Sequence, residues 1–159
     1  MASYVPATAS LLLALLAVED MRSRRLSNGA VFAVALLYFA DAALARDSLE
    51  TAASHVAIAA AMLMLFGVFR HLGWIGGGDV KLAAAVFLWA GPARVFPVLL
   101  IVGMGGILLG FATVAAVAWR RWATSSPYVP ARGVPYGVAL ALGGAFAIWA
   151  PLANASSMK

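Results

Sequence analysis

The sequence contains no cysteine and few charged residues. The absence of cysteine among 159 residues excludes disulfide bonds and thiolate metal sites. Charged residues make up 11% of the chain and hydrophobic residues 64%, a larger apolar share than a soluble domain carries. With six acidic residues and two histidines, we expect no metal centre and no other cofactor. The composition predicts a single integral membrane domain covering residues 1–159.

The basic residues that are present lie mostly at the ends of apolar segments. A formal net charge of +5 could indicate a nucleic-acid partner, but this placement favours a role in membrane orientation instead. We therefore expect lipid around the chain and no nucleic acid. Residues 1–18 contain no Lys or Arg, whereas a secretory signal peptide begins with a basic region. The first apolar segment is accordingly expected to stay attached as a transmembrane helix.

Six apolar runs predict an all-α, polytopic fold with six transmembrane helices. A span needs about 20 residues, so the fourth run is too short unless its helix begins near Gly78. That extension would place the stretch Gly76–Asp79 at a membrane edge. The runs cover residues 4–18, 29–44, 51–69, 82–90, 95–119 and 133–153.

Counting Lys and Arg in the loops predicts the orientation of these helices. The first, third and fifth loops hold most of the eleven basic residues, and the positive-inside rule places such loops in the cytoplasm. Both termini are then expected outside. The basic residues of the three loops are Arg22, Arg24, Arg25, Arg70, Lys81, Arg120, Arg121 and Arg132, and those of the other side are Arg46, Arg94 and Lys159.

Two aspartates lie where an apolar run meets a basic loop on the predicted cytoplasmic side. Carboxylates at membrane depth are costly and usually face a cavity or a partner. If Asp20 and Asp79 meet, they can share a proton, and one can activate water while the other protonates a substrate. Glu19 is the weaker candidate because adjacent helical residues point about 100° apart. The simpler interpretation is that the aspartates form ion pairs, Asp20 with Arg22 or Arg24 and Asp79 with Lys81.

Three successive glycines, Gly76, Gly77 and Gly78, precede Asp79. Without side chains they would let an extended peptide backbone approach the carboxyl closely, and irregular backbone is tolerated in a membrane where it lines a cavity. The alternative is a hinge or a close contact between helices. The two histidines, His55 and His71, have no second ligand at metal spacing, so packing is favoured over metal binding.

Three segments, in order along the chain, resemble the type IV prepilin peptidases. The segment "GGGD" (76–79) matches the G-x-G-D motif of intramembrane aspartic proteases, "DMRSRRLSN" (20–28) resembles the family's first motif, and "VPYGVALALG" (134–143) resembles its last span. Ser27 stands where the family often has proline. The chain is most similar to the short members of Tad/Flp pilus systems, which lack the cysteine-bearing methyltransferase domain.

The resemblance implies an aspartic endopeptidase of the bacterial inner membrane with Asp20 and Asp79 as the catalytic pair. Gly76, Gly77 and Gly78 would bind the substrate backbone, and no cofactor is implied. The substrates would be prepilins or pseudopilins, cut at the cytoplasmic face between a short basic leader and a hydrophobic helix. Arg22, Arg24, Arg25 and Asn28 would support the loop, with no chemistry assigned to them.

Two other functions are compatible with the sequence. A small transporter or channel could use Asp79 as a coupling carboxylate in a broken helix. A non-catalytic subunit of a pilus machine would need neither aspartate. The sequence does not fix the oligomeric state, the cleavage site or the particular pilin.

Overall fold

A computed structural model describes residues 4–124 and 134–150 of the chain. Two of the basic residues that entered the predicted orientation, Arg132 and Lys159, lie outside these ranges. So do both ends of the sixth apolar run.

The described chain forms five α-helices and no strand. Helices α1 to α4 are long and apolar enough to cross a membrane by length and composition, and α5 is a shorter apolar helix. The prediction of an all-α membrane protein is thus confirmed, with four candidate spans rather than six. The helices are α1 (Tyr4–Ser23), α2 (Asn28–Ala45), α3 (Leu49–His71), α4 (Gly77–Thr124) and α5 (Tyr136–Trp149).

Part of the difference in number arises in α4, which contains both the fourth and the fifth apolar run, and the rest arises because α5, with 14 residues, is a shorter apolar helix. Its backbone is non-helical at Gly91, with φ 56° and ψ −170°, a left-handed conformation that glycine adopts without strain. The His55 ring lies where a Cβ on Gly91 would stand, and its Nδ1–H donates to the Leu88 carbonyl over 2.8 Å. His55 therefore packs against the break in α4, as the packing interpretation predicted.

The chain reverses direction at this break. After it, Arg94 donates to the carbonyls of Ala147 and Ala150, at the end of α5. Further along α4, Gly106 lies against Tyr136 at the beginning of α5. Because contacts that move forward along α4 move backward along α5, this segment runs antiparallel to α5 and returns toward the level at which α4 began.

The turns between helices have local stabilising interactions. Ser27 and Ser48 precede α2 and α3, and each hydroxyl accepts a hydrogen bond from a backbone N–H in the first turn of its helix, at 3.5 and 3.1 Å. Such caps satisfy donors that a helix leaves free at its N-terminus. Arg46 ends α2 in the left-handed conformation and donates its backbone N–H to the carbonyls of Ala42 and Ala43.

The core lies around the first part of α4, residues 77–90. Leu82, Val86 and Phe87 are fully buried there, and α4 packs against α2, α3 and α5. Small residues allow the closest approach: Gly144 of α5 lies against Leu13 and Val86. This packing holds the start of α4 beside the end of α1 and the start of α5.

We predict that Gly91→Ala destabilises the fold by about 1–3 kcal/mol, because the new methyl group would overlap the His55 ring and the backbone would be strained. Thermal unfolding in detergent measures this loss. Gly67→Ala is the matched control, since a Cβ there meets no atom within 4 Å. Equal stability of the two variants would contradict the packing described for the break.

Candidate active site

Asp79 lies in the first turn of α4 and is held by the glycine before that helix. The Gly76 backbone N–H donates to its Oδ2 over 3.2 Å. The contact is the reciprocal half of a capping box, in which the third helical residue reaches back to the residue preceding the helix. Its position at the positive end of the α4 dipole also favours a carboxylate there.

Asp20 lies near the end of α1 and is only 5% exposed. The Gly137 backbone N–H donates to its Oδ2 over 2.9 Å, and Gly137 belongs to the first turn of α5. Each aspartate is therefore held by the N-terminal end of a helix, α4 for Asp79 and α5 for Asp20. In both cases the hydrogen-bond donor is the backbone N–H of a glycine.

The two carboxyls line one cavity of about 330 Å³. The charge of Asp20 acts on Asp79, and the charge of Arg24 acts on both carboxyls. The structure thus brings together the two aspartates that the sequence singled out. The residues that line the cavity are Asp20, Arg24, Arg25, Leu26, Asn28, Gly76, Gly77, Gly78 and Asp79.

The ion pairs that offered a simpler interpretation are not the arrangement found. Lys81 donates to the Asn28 side-chain oxygen over 3.0 Å and not to Asp79. The second oxygen of Asp79, Oδ1, is buried and has no hydrogen-bond partner among the described residues. The Arg24 Nε and Nη1 atoms are likewise buried and without partners in that part of the chain.

Glu19 and Asp20 face different surroundings, as the helical spacing predicted. The Glu19 carboxylate accepts the Ser27 backbone N–H over 3.2 Å and so ties the end of α1 to the start of α2. It does not line the cavity. Of the two neighbouring acids, Asp20 is the one that lines the cavity.

The three glycines before Asp79 all line the cavity, but they differ in what surrounds them. A Cβ on Gly76 would lie 2.9 Å from the Asp79 Oδ2, and a Cβ on Gly78 would lie 3.1 Å from the Leu26 Cβ. A Cβ on Gly77 would make an ordinary contact of 3.5 Å with the Arg70 Nε. Gly76 and Gly78 therefore allow close approaches within the protein itself.

Gly137 is the functional residue that reasoning from the sequence missed. A Cβ on it would lie 2.8 Å from both the Cβ and the Oδ2 of Asp20, so only glycine permits the bond between them without rearrangement. The signal was present in the segment 134–143, which carries part of the family resemblance, but nothing local indicates which glycine meets Asp20.

The described residues contain no group of three or more His, Asp or Glu side chains that could hold a metal ion. The charged groups that line the cavity are two carboxyls and two arginines. The carboxyls can hold and move protons, and both kinds of group can bind a peptide through hydrogen bonds.

Comparison with known proteins gives one match. The model of the type IV leader peptidase family matches residues 7–111, well over half of the chain, and the matched region includes both aspartates and the three glycines. No curated protein and no solved structure matches the chain significantly.

We predict that Gly137→Ala destabilises the protein by about 1–3 kcal/mol by forcing Asp20 away from the start of α5. Unfolding in detergent is the measurement, with Gly103→Ala as the control, because a Cβ on Gly103 meets nothing within 4 Å. On an Asp20→Gly background the penalty of Gly137→Ala should shrink, since the two residues are in contact. An equal penalty on both backgrounds would show that this contact is not the cause.

Proposed function

The chain belongs to the type IV leader peptidase family, and we propose that it is a membrane-embedded aspartic endopeptidase that removes the leader peptide from prepilins. Membership of this family confirms the resemblance drawn from the sequence. The observation that carries the aspartic mechanism is the meeting of Asp20 and Asp79 in one cavity beside three glycines. The cavity lies in a helical bundle with four candidate membrane spans.

In the proposed reaction the two carboxyls share one proton and act on a water molecule. The ionised carboxyl takes a proton from water as the water oxygen bonds to the carbonyl carbon of the peptide, and the carbonyl π electrons move onto its oxygen. The protonated carboxyl then supplies a proton to the amide nitrogen as the C–N bond breaks. The products are a carboxylic acid and an amine, and the dyad returns to its starting protonation after proton exchange with solvent.

The glycines are proposed to bind the substrate backbone. Gly76, Gly77 and Gly78 line the cavity next to Asp79. Since Asp79 and Leu26 occupy the space beside Gly76 and Gly78, the proposed contact is with the backbone of these glycines. The proposed substrates are prepilins or pseudopilins of the Flp type, whose short basic leader precedes a hydrophobic helix.

We further propose that both halves of α4, together with the sixth apolar run, cross the membrane, which gives six spans with the cavity at the cytoplasmic side of the inner membrane. The end of α1, the start of α4 and the start of α5 all meet at the cavity. The reversal at Gly91 supports this topology, since the second half of α4 runs back alongside α5.

The alternative of a transporter coupled through Asp79 in a broken helix has less support. Asp79 lies in the first turn of α4, whereas the break in that helix lies at Gly91. Asp79 is therefore not at the break inside α4, and the irregular backbone beside it is the turn of residues 72–76, at the beginning of the helix. Family membership favours peptide cleavage as well.

We predict that Asp20→Asn and Asp79→Asn each lower kcat for prepilin cleavage by about 100-fold or more, because either change removes one member of the acid–base pair. The measurement is cleavage of a co-reconstituted prepilin in proteoliposomes. Asp41→Asn is the matched control, an aspartate of α2 that does not line the cavity, and it should retain activity. Full activity in either dyad variant would remove the aspartic mechanism.

The topology can be tested with single cysteines, since the chain has none of its own. We expect Asp47→Cys, between α2 and α3, to react with a membrane-impermeant maleimide added to intact cells. Leu72→Cys, between α3 and α4, should react only after the membrane is opened. Both positions are exposed, and neither substitution alters a Lys or Arg that sets orientation. The reverse labelling pattern would invert the proposed orientation.

A further inference from the structure

Arg24 carries hydrogen-bond donors that the described protein does not use. Its side chain lines the cavity with Asp20 and Asp79, and its Nε and Nη1 atoms are buried without a partner in the described residues. A guanidinium has donors and no acceptor, and a buried donor left unpaired costs about 1–3 kcal/mol. A ligand that brought an acceptor into the cavity would recover that cost.

The backbone of Arg24 is itself unusual. Its φ is +54°, in the left-handed region that residues other than glycine seldom occupy, and its N–H donates to the Asp20 carbonyl over 3.0 Å as α1 ends. A residue held in such a conformation costs about 1–3 kcal/mol, and residues of this kind cluster at functional sites. Here the conformation places a guanidinium beside the two carboxyls.

The unpaired groups of the cavity are complementary to a hydrated peptide. Among the described residues, no donor pairs with the Asp79 Oδ1, whereas its Oδ2 accepts from Gly76 and the Asp20 Oδ2 accepts from Gly137. The Arg24 Nε and Nη1 donors also have no partner in that part of the chain, so they do not bond to the Asp79 Oδ1. A water molecule can donate to the free carboxylate oxygen, and a peptide carbonyl can accept from the guanidinium.

We propose that Arg24 is a substrate-binding residue whose Nε–H and Nη1–H donate to the carbonyl oxygen of the peptide bond being cut. This inference rests on the proposed function. As water attacks, the carbonyl π electrons collect on that oxygen, and a cationic donor already aimed at it stabilises the developing charge. The proton transfers remain with Asp20 and Asp79, and Arg24 neither gains nor loses a proton.

The sharpest test is Arg24→Gly, because glycine keeps the left-handed backbone without strain and removes only the side chain. Arg46→Gly is the matched control. Arg46 is the other non-glycine residue with positive φ among the described residues, at +58°, and it is exposed at the end of α2, away from the cavity. We expect Arg24→Gly to lower kcat for prepilin cleavage by about 100-fold and to raise KM by a smaller factor, because the guanidinium binds the carbonyl oxygen before attack and more strongly as its charge develops. Arg46→Gly should match the wild type.

Two further measurements separate binding through hydrogen bonds from a general effect of charge or folding. Guanidinium ion added at millimolar concentration should restore part of the activity of Arg24→Gly but none of Asp20→Asn. Arg24→Lys keeps the charge but loses the planar set of donors, so it should remain below the wild type.

The inference is overturned if Arg24→Gly keeps the wild-type kcat, if guanidinium restores nothing to it, or if Arg24→Lys is fully active. In each of these cases the proposed function still holds if the wild-type enzyme cleaves prepilin and the Asp20→Asn and Asp79→Asn variants do not. A wild-type chain that cleaves no prepilin overturns both together.

Discussion

The hydrogen bond between the Gly137 N–H and the Asp20 carboxyl joins distant parts of the chain at the place where a charge must be accommodated. A carboxyl in an apolar bundle is costly unless it finds donors. The first turn of a helix offers backbone N–H groups with no partner inside the helix, at the positive end of its dipole. Placing Asp20 against α5 meets both needs at once, and it requires a residue without a side chain at the point of contact. Position 137 and the packing of α1 on α5 are linked through this one bond.

Asp79 is held in the same way, because the backbone N–H of Gly76 donates a hydrogen bond to its carboxyl. Two helix ends thus present two carboxyls to a single cavity, and each carboxyl has one oxygen fixed by backbone. Fixing one oxygen sets the direction of the other, which is how a dyad can be positioned without metal ligands or a network of side chains. The cavity wall between them is made of glycine and of the segment from Arg24 to Asn28. Arg24 lines the same cavity, and its charge acts on both acids.

The sequence predicted the helical class, the meeting of Asp20 with Asp79 and the different surroundings of Asp20 and Glu19, because these depend on hydropathy, periodicity and motif. It left the contacts of particular glycines undetermined. Gly137, Gly91 and Gly103 look alike in a sequence. A Cβ added to Gly137 would meet Asp20, one added to Gly91 would meet His55, and one added to Gly103 would meet nothing within 4 Å. Such differences depend on which helices become neighbours. The apolar count separated the fourth run from the fifth, and the chain does reverse direction between them, at Gly91. The sequence did not show that a single left-handed glycine makes this reversal without a polar loop.

Each end of α5 is hydrogen-bonded to a charged side chain, so the length of the helix separates the two side chains. At one end the Asp20 carboxyl binds the N–H of Gly137, and at the other the Arg94 guanidinium binds the carbonyls of Ala147 and Ala150. A helix of 14 residues is about 21 Å long at 1.5 Å per residue, whereas the hydrocarbon layer of a bilayer is about 30 Å thick. In the proposed topology, in which α5 crosses the membrane, the two ends of the helix cannot both reach the level of the lipid headgroups, and any tilt brings them closer in depth. In that topology at least one of the two groups lies beneath the headgroups, where the protein itself must supply water.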